Sequence, residues 1–117
     1  MGWFSKTDDG LFLATVVPDG EGARVRQFLG IVSGEAIIGA NLFRDMFSSI
    51  RDVVGGRAGG YERALSGARD AALHDMVAAA KELGADGIVG IDFDYEVLGE
   101  KNGMMMVAVS GTAVKMG

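Results

Sequence analysis

The stretch DGIVGIDFDYEV, residues 86–97, alternates two kinds of side chain. Val89, Ile91, Phe93, Tyr95 and Val97 share one parity, and Asp86, Ile88, Gly90, Asp92, Asp94 and Glu96 share the other. Successive side chains of a strand point to opposite faces, so this pattern predicts a strand with one apolar and one acidic face. It also fixes register, because a one-residue slip would turn Asp92, Asp94 and Glu96 toward the core. Downstream, residues 104–115 read as a second strand. The intervening GEKNG holds Asn102-Gly103, which suits the positive φ of a hairpin turn. Strands 86–98 and 104–115 are therefore expected to pair as a hairpin.

Upstream of it, Tyr61, Leu65, Ala68, Ala72, Met76, Ala79 and Leu83 recur at helical spacing, with Glu62, Arg63, Arg69, Asp70, Asp75 and Lys81 opposite. The pattern predicts a helix over 61–83 that stops at Gly84. Its stripe is mostly alanine, so it should lie close on its neighbour. Leu42, Met46, Ile50 and Val53 predict an earlier helix, with Asn41 as N-cap and Gly55 as its stop. Between the two helices runs GGRAGG, a joint. Residues 11–17 and 23–38 read as strands around the Pro18-Asp19-Gly20 turn and are expected to form an antiparallel hairpin. Gly30 and Gly34 would bend or bulge the longer one. The order is β-β-α-α-β-β, an α+β domain with a curved, mainly antiparallel sheet covered by helices. Residues 1–117 form one domain, with 1–10 as an N-terminal extension.

Composition excludes several function classes. With no cysteine there are no disulfides, thiolate metal sites or cysteine nucleophiles. The net charge of −5 and the lack of a basic run argue against nucleic acid, because phosphate binding needs clustered Lys and Arg. No apolar run approaches the ~20 residues of a membrane span, and the N-terminus lacks a signal-peptide pattern. A cytoplasmic protein without membrane or nucleic-acid partners is expected. At 117 residues the core is modest, so burial against identical copies would help the fold.

Three segments carry a family likeness: GIVSGEAIIGANLFRDMFSSIRDVVGGRAGGYERAL (30–65), ARDAAL followed by AKELGADGIVGIDFDYEV (68–73 and 80–97), and VSGTAV (109–114). Together they resemble the YbjQ family of small bacterial and archaeal proteins, over about residues 28–115. The resemblance implies a dodecin-subunit-like fold, assembly into a ring of five identical chains, and a heavy-metal-binding label.

Four groups of residues are candidates for function. Asp92, Asp94 and Glu96, with His74, are the available ligands for a divalent ion, which would be held by carboxylates because soft ligands are missing. The bland alternative is a solvated face, or acids paired with Arg24, Arg26 and Lys115. His74 has Asp70 four residues before it, so it has a carboxylate within reach on the helix. Gly55, Gly56 and Arg57 would offer backbone N–H groups and a guanidinium to an anion. Asn41, Arg44, Asp45, Arg51, Asp52 and Arg57 are the polar members of the family-like segment and are assigned to the oligomer interface. Met104 and Met106 share a strand face and read as core or interface filler. No serine lies in a GxSxG context. A non-enzymatic homo-oligomer holding a small ligand at subunit boundaries is the leading expectation. Divalent-metal binding comes next, and an enzyme acting on an anionic metabolite near Arg57 comes last.

Overall fold

The computed structural model describes residues 3–20, 22–39, 59–99 and 103–117. Through them run β1 (Phe4–Lys6), β2 (Phe12–Ala14), β3 (Asp19–Gly20), β4 (Ala23–Ile38), α1 (Gly59–Glu82), β5 (Gly87–Leu98) and β6 (Met104–Met116). The strands form one sheet in the order β1-β2-β5-β6-β4-β3. The fold is α+β: a curled six-stranded sheet, a half-barrel, with one helix among the described residues. The helix expected over 41–54, with Asn41 and Gly55 at its ends, lies outside them.

β5 and β6 pair antiparallel as the alternation demands, and β6 pairs antiparallel with β4 on its other side. The expected hairpin between 11–17 and 23–38 does not form. β2 is only three residues long; it pairs antiparallel with β1 and in parallel with β5, through Phe12↔Gly87 and Leu13↔Ile88. The fit is tight, since a Cβ on Gly87 would stand 2.8 Å from the Phe12 carbonyl oxygen. The strand before β4 is built instead from residues expected to turn, with Asp19 opposite Arg24 and Gly20 opposite Ala23.

The parity of β5 breaks at Gly90. Two residues, Gly90 and Ile91, face the single Gly111, so Val89 pairs with Thr112 and Asp92 with Ser110. This is a β-bulge, and Gly90 adopts the left-handed φ of 64° that a side chain would resist. Across the bulge, Ile88 joins Ile91 and Phe93 in the core beneath the helix, while Val89 packs in a second cluster. Unbroken alternation had grouped Val89 with Ile91; the extra residue moves Ile88 there instead.

α1 ends where expected. The Ala85 N–H bonds the Ala80 carbonyl and the Gly84 N–H bonds the Lys81 carbonyl, the paired bonds of a glycine-capped helix end. Its buried row is Ala68, Ala72, Met76 and Ala80, with Val77 beside it. Steps of four advance 40° beyond a full turn each time, so the row drifts around the helix. That drift leaves Leu83, expected in the stripe, exposed, and places Ala80 in the core. The small side chains let the helix settle onto β4 at Gly34, where an added Cβ would lie 1.9 Å from the Ala72 carbonyl oxygen. Gly34 pairs regularly with Val109 and makes no bulge; the irregularities of β4 fall between Val25 and Gln27 and between Phe28 and Gly30. Met76, Ile88, Val107 and Val109 form the fully buried centre under α1. Each contributes about 1.5–3 kcal/mol by leaving water.

The second cluster holds Phe12, Ala14, Val89 and Val114, with Phe4, Val25 and Met116 against it. Phe4 comes from one edge of the sheet and Val25 from near the other, so the sheet curls toward this face.

Two sheet edges stay bare among the described residues. Beyond Arg24, β4 pairs on one side only, with β6; on β5 the Gly90 N–H still reaches the Val16 carbonyl at 3.5 Å, and beyond Gly90 the strand pairs only with β6. None of the described helices is long and apolar enough to cross a membrane.

Candidate functional site

Asp92, Asp94 and Glu96 follow the bulge on the face of β5 turned away from α1, and all three are exposed. Their cross-strand neighbours on β6 are Ser110, Ala108 and Met106. Of the cations expected as partners, Arg24 faces Asp19 at 3.7 Å and Lys115 faces Asp86 at 3.8 Å, while Arg26 makes no ion pair with any described residue, the acidic row included. The row is therefore a solvated acidic strip, with carboxylates about 7 Å apart along the strand.

His74 sits on the exposed side of α1, its Nδ1 4.0 Å from the Asp75 carboxylate; Asp75, not Asp70, is its ion-pair neighbour. The structure does not bring His74 to the acidic row, since no group of three His, Asp or Glu side chains able to hold a metal forms among the described residues. His74 instead borders a cavity of about 410 Å³, together with Asp8, Asp9, Asp70 and Lys81. There the Asp9 carboxylate binds Lys81 Nζ and accepts from Thr7 Oγ1 at 2.5 Å. The Lys81 bond first and the Thr7 bond second hold the Asp9 carboxyl at about 2, below its usual value. This clasp ties the β1–β2 turn to the helix. Gly55, Gly56 and Arg57, and Asn41, Arg44, Asp45, Arg51 and Asp52, lie outside the described residues. Met105, not Met104 or Met106, is the buried member of the methionine run.

The N-terminal residues, expected only as an extension, line two cavities. β1 turns back through Thr7–Gly10 onto β2, stacking Phe4 on Phe12 at 4.9 Å between ring centroids. Trp3 meets both rings edge-on, at 5.1 and 5.7 Å. On one side of this wall lies an apolar cavity of about 260 Å³ bordered by Leu73, Ile91 and Phe93. On the other lies a cavity of about 420 Å³, where the curled sheet nearly meets itself. Trp3, Phe4, Lys6 and Phe12 line one bank; Gly22, Ala23, Asp86 and Met116 line the other. The signal for it was present in the sequence: aromatic residues flank a Lys-Thr-Asp-Asp-Gly turn.

A family model described as "Putative heavy-metal-binding" matches residues 12–117. A solved structure is similar in fold: a protein with unknown function of the DUF74 family from Pediococcus pentosaceus, 18% identical, with a TM-score of 0.59 over 92% of this chain and 99% of that one. The described side chains do not fit a heavy metal. Such ions favour thiolate and clustered imidazole, and this chain has no Cys and one His. Carboxylates 7 Å apart also cannot close on one ion from a single strand. Millimolar calcium, manganese or zinc is thus expected to leave the melting temperature of the protein unchanged. A rise that disappears in the Asp92→Asn, Asp94→Asn protein would instead reveal a site built between copies.

Proposed function

We propose that this chain, which belongs to the YbjQ family, is the subunit of a closed homo-oligomer that binds small ligands without transforming them. The observation that supports this most is the pair of bare edges. Residues 25–38 of β4 and 91–98 of β5 have no strand neighbour on one side among the described residues. Soluble proteins rarely leave long edges unguarded, because unpaired N–H and C=O groups recruit other strands. These edges also carry apolar side chains: Ile31 is 85% and Ile37 58% exposed on β4, and Tyr95 and Val97 are half-exposed on β5.

The two edges lie on opposite sides of the β5-β6-β4 body. Joining the β4 edge of one copy to the β5 edge of the next is a heterologous contact, which closes into a ring when the rotation per subunit divides a full turn. The family resemblance implies five subunits. Boundary sites would then form where the acidic strip of one copy meets its neighbour.

Native mass spectrometry tests the reading. The parent protein is expected as a discrete oligomer, and the Ile31→Lys, Ile37→Lys protein as single chains of unchanged helix content, because both side chains are exposed in the lone subunit. A parent that stays a single chain at micromolar concentration, or a doubly substituted protein that assembles like the parent, would refute it.

A further inference from the structure

We propose that the cavity at the seam of the half-barrel binds a small planar aromatic anion. Its volume of about 420 Å³ falls in the range of small-molecule sites, and barrel mouths commonly house them. One bank is aromatic: the stacked pair Phe4–Phe12 with Trp3 set edge-on to both. Trp3 is 53% exposed, so its ring still has a surface for a ligand to cover. Rings placed this way favour a flat aromatic partner by offset stacking and edge contacts.

Charge selects the class further. Among the described residues, two charged side chains border the cavity, Lys6 and Asp86. The Asp86 carboxylate is already occupied: one oxygen accepts the Met116 N–H at 3.0 Å and the other faces Lys115 at 3.8 Å. Lys6 makes no ion pair with any described residue. It lies opposite Phe12 in the β1–β2 ladder, and cross-strand partners share a face, so its ammonium stands beside the aromatic wall. A cation with no ion-pair partner among the described residues, set next to stacked rings, suits an aromatic carboxylate, sulfonate or phosphate. This site lies within one chain and does not depend on assembly.

The chain has one tryptophan, and it borders both this cavity and the apolar one across the aromatic wall, so its emission reports binding at either; Lys6 and Ala23 border the seam cavity and not the other, so their substitutions assign the dye to the seam. The probes are 8-anilinonaphthalene-1-sulfonate and its neutral analogue N-phenyl-1-naphthylamine, titrated into the full-length protein. Expected is saturable quenching of Trp3 emission by the sulfonate, with one dye per chain. Lys6→Gln should weaken the sulfonate by about threefold to fivefold, the size of an exposed ion pair, and leave the neutral dye unchanged. Ala23→Leu, which adds bulk to the opposite bank, should weaken both dyes. The Ile31→Lys, Ile37→Lys protein should bind as the parent does, which separates failure here from failure of the ring. The proposal is overturned by unquenched Trp3, by Lys6→Gln affecting both dyes equally or neither, or by Ala23→Leu binding dye like the parent.

Discussion

Gly34→Ala is expected to cost about 3 kcal/mol or more and to lower the urea midpoint accordingly, with α1 loosened from the sheet. The new Cβ would stand 1.9 Å from the Ala72 carbonyl oxygen and 2.8 Å from the Met76 amide nitrogen. Those two atoms are the acceptor and donor of one i, i+4 helix bond, so the methyl would drive into the helix ladder itself. No side-chain rotation relieves a contact with backbone. The helix must lift by more than an ångström, and the packing of Ala72, Met76 and Ala80 is lost together. Two effects oppose the loss: alanine reduces the entropy of the unfolded chain and suits a strand better than glycine. Together they supply about 1 kcal/mol, so the clash wins. Gly67→Ala gives the contrast. Gly67 is an exposed helical position with nothing within 4 Å of an added Cβ, and alanine there should stabilise by about 0.5–1 kcal/mol. Equal effects at the two positions would show that close approach at Gly34 is not what holds the helix down.

Gly34 also marks how far sequence reading reached. The helix over 61–83 and strands 23–38, 86–98 and 104–115 are long and periodic, so their existence and nearly their bounds were legible. Alanines in the helix stripe announced close packing. Which glycine received the helix was not legible, because Gly30 and Gly34 look alike until the register with β6 is known. Pairing of the short strands was lost for a related reason. β1, β2 and β3 have two or three residues each, too few to show a period, and their partners are chosen by tertiary contacts such as Phe4 on Phe12. The acidic row was legible as a row, since Asp92, Asp94 and Glu96 lie beyond the bulge. Its isolation from Arg24 and Lys115 was not, because Asp19 and Asp86 capture those cations through contacts that alternation does not encode. The seam cavity was not legible from the first ten residues, whose aromatics mark a wall but not what faces it. The wall they build needs the curl of the whole sheet to acquire its opposite bank.

That curl rests on the bulge, and Gly111→Ala should damage it by about 2 kcal/mol. Gly111 faces both bulge residues, and its added Cβ would stand 2.6 Å from Ile88 Cγ2, 3.2 Å from the Val89 carbonyl oxygen and 3.3 Å from Ile91 Cγ1. The shortest of these is with a β-branched side chain that is fully buried and stiff at χ1, so it has little freedom to yield. The cause can be isolated by a double-mutant cycle. Ile88→Ala alone should cost about 3 kcal/mol by leaving a cavity under α1. With Ile88 truncated, the 2.6 Å contact no longer exists, and the Gly111 methyl partly refills the space. The double variant should therefore fall near 3 kcal/mol rather than the sum of about 5, a coupling of about 2 kcal/mol read from urea midpoints at matched slopes. Simple additivity would mean that Gly111 is required by the strand's own conformation and not by the side chains the bulge packs against it. The bulge would then no longer explain why Ile88, rather than Val89, stands with Ile91 beneath the helix.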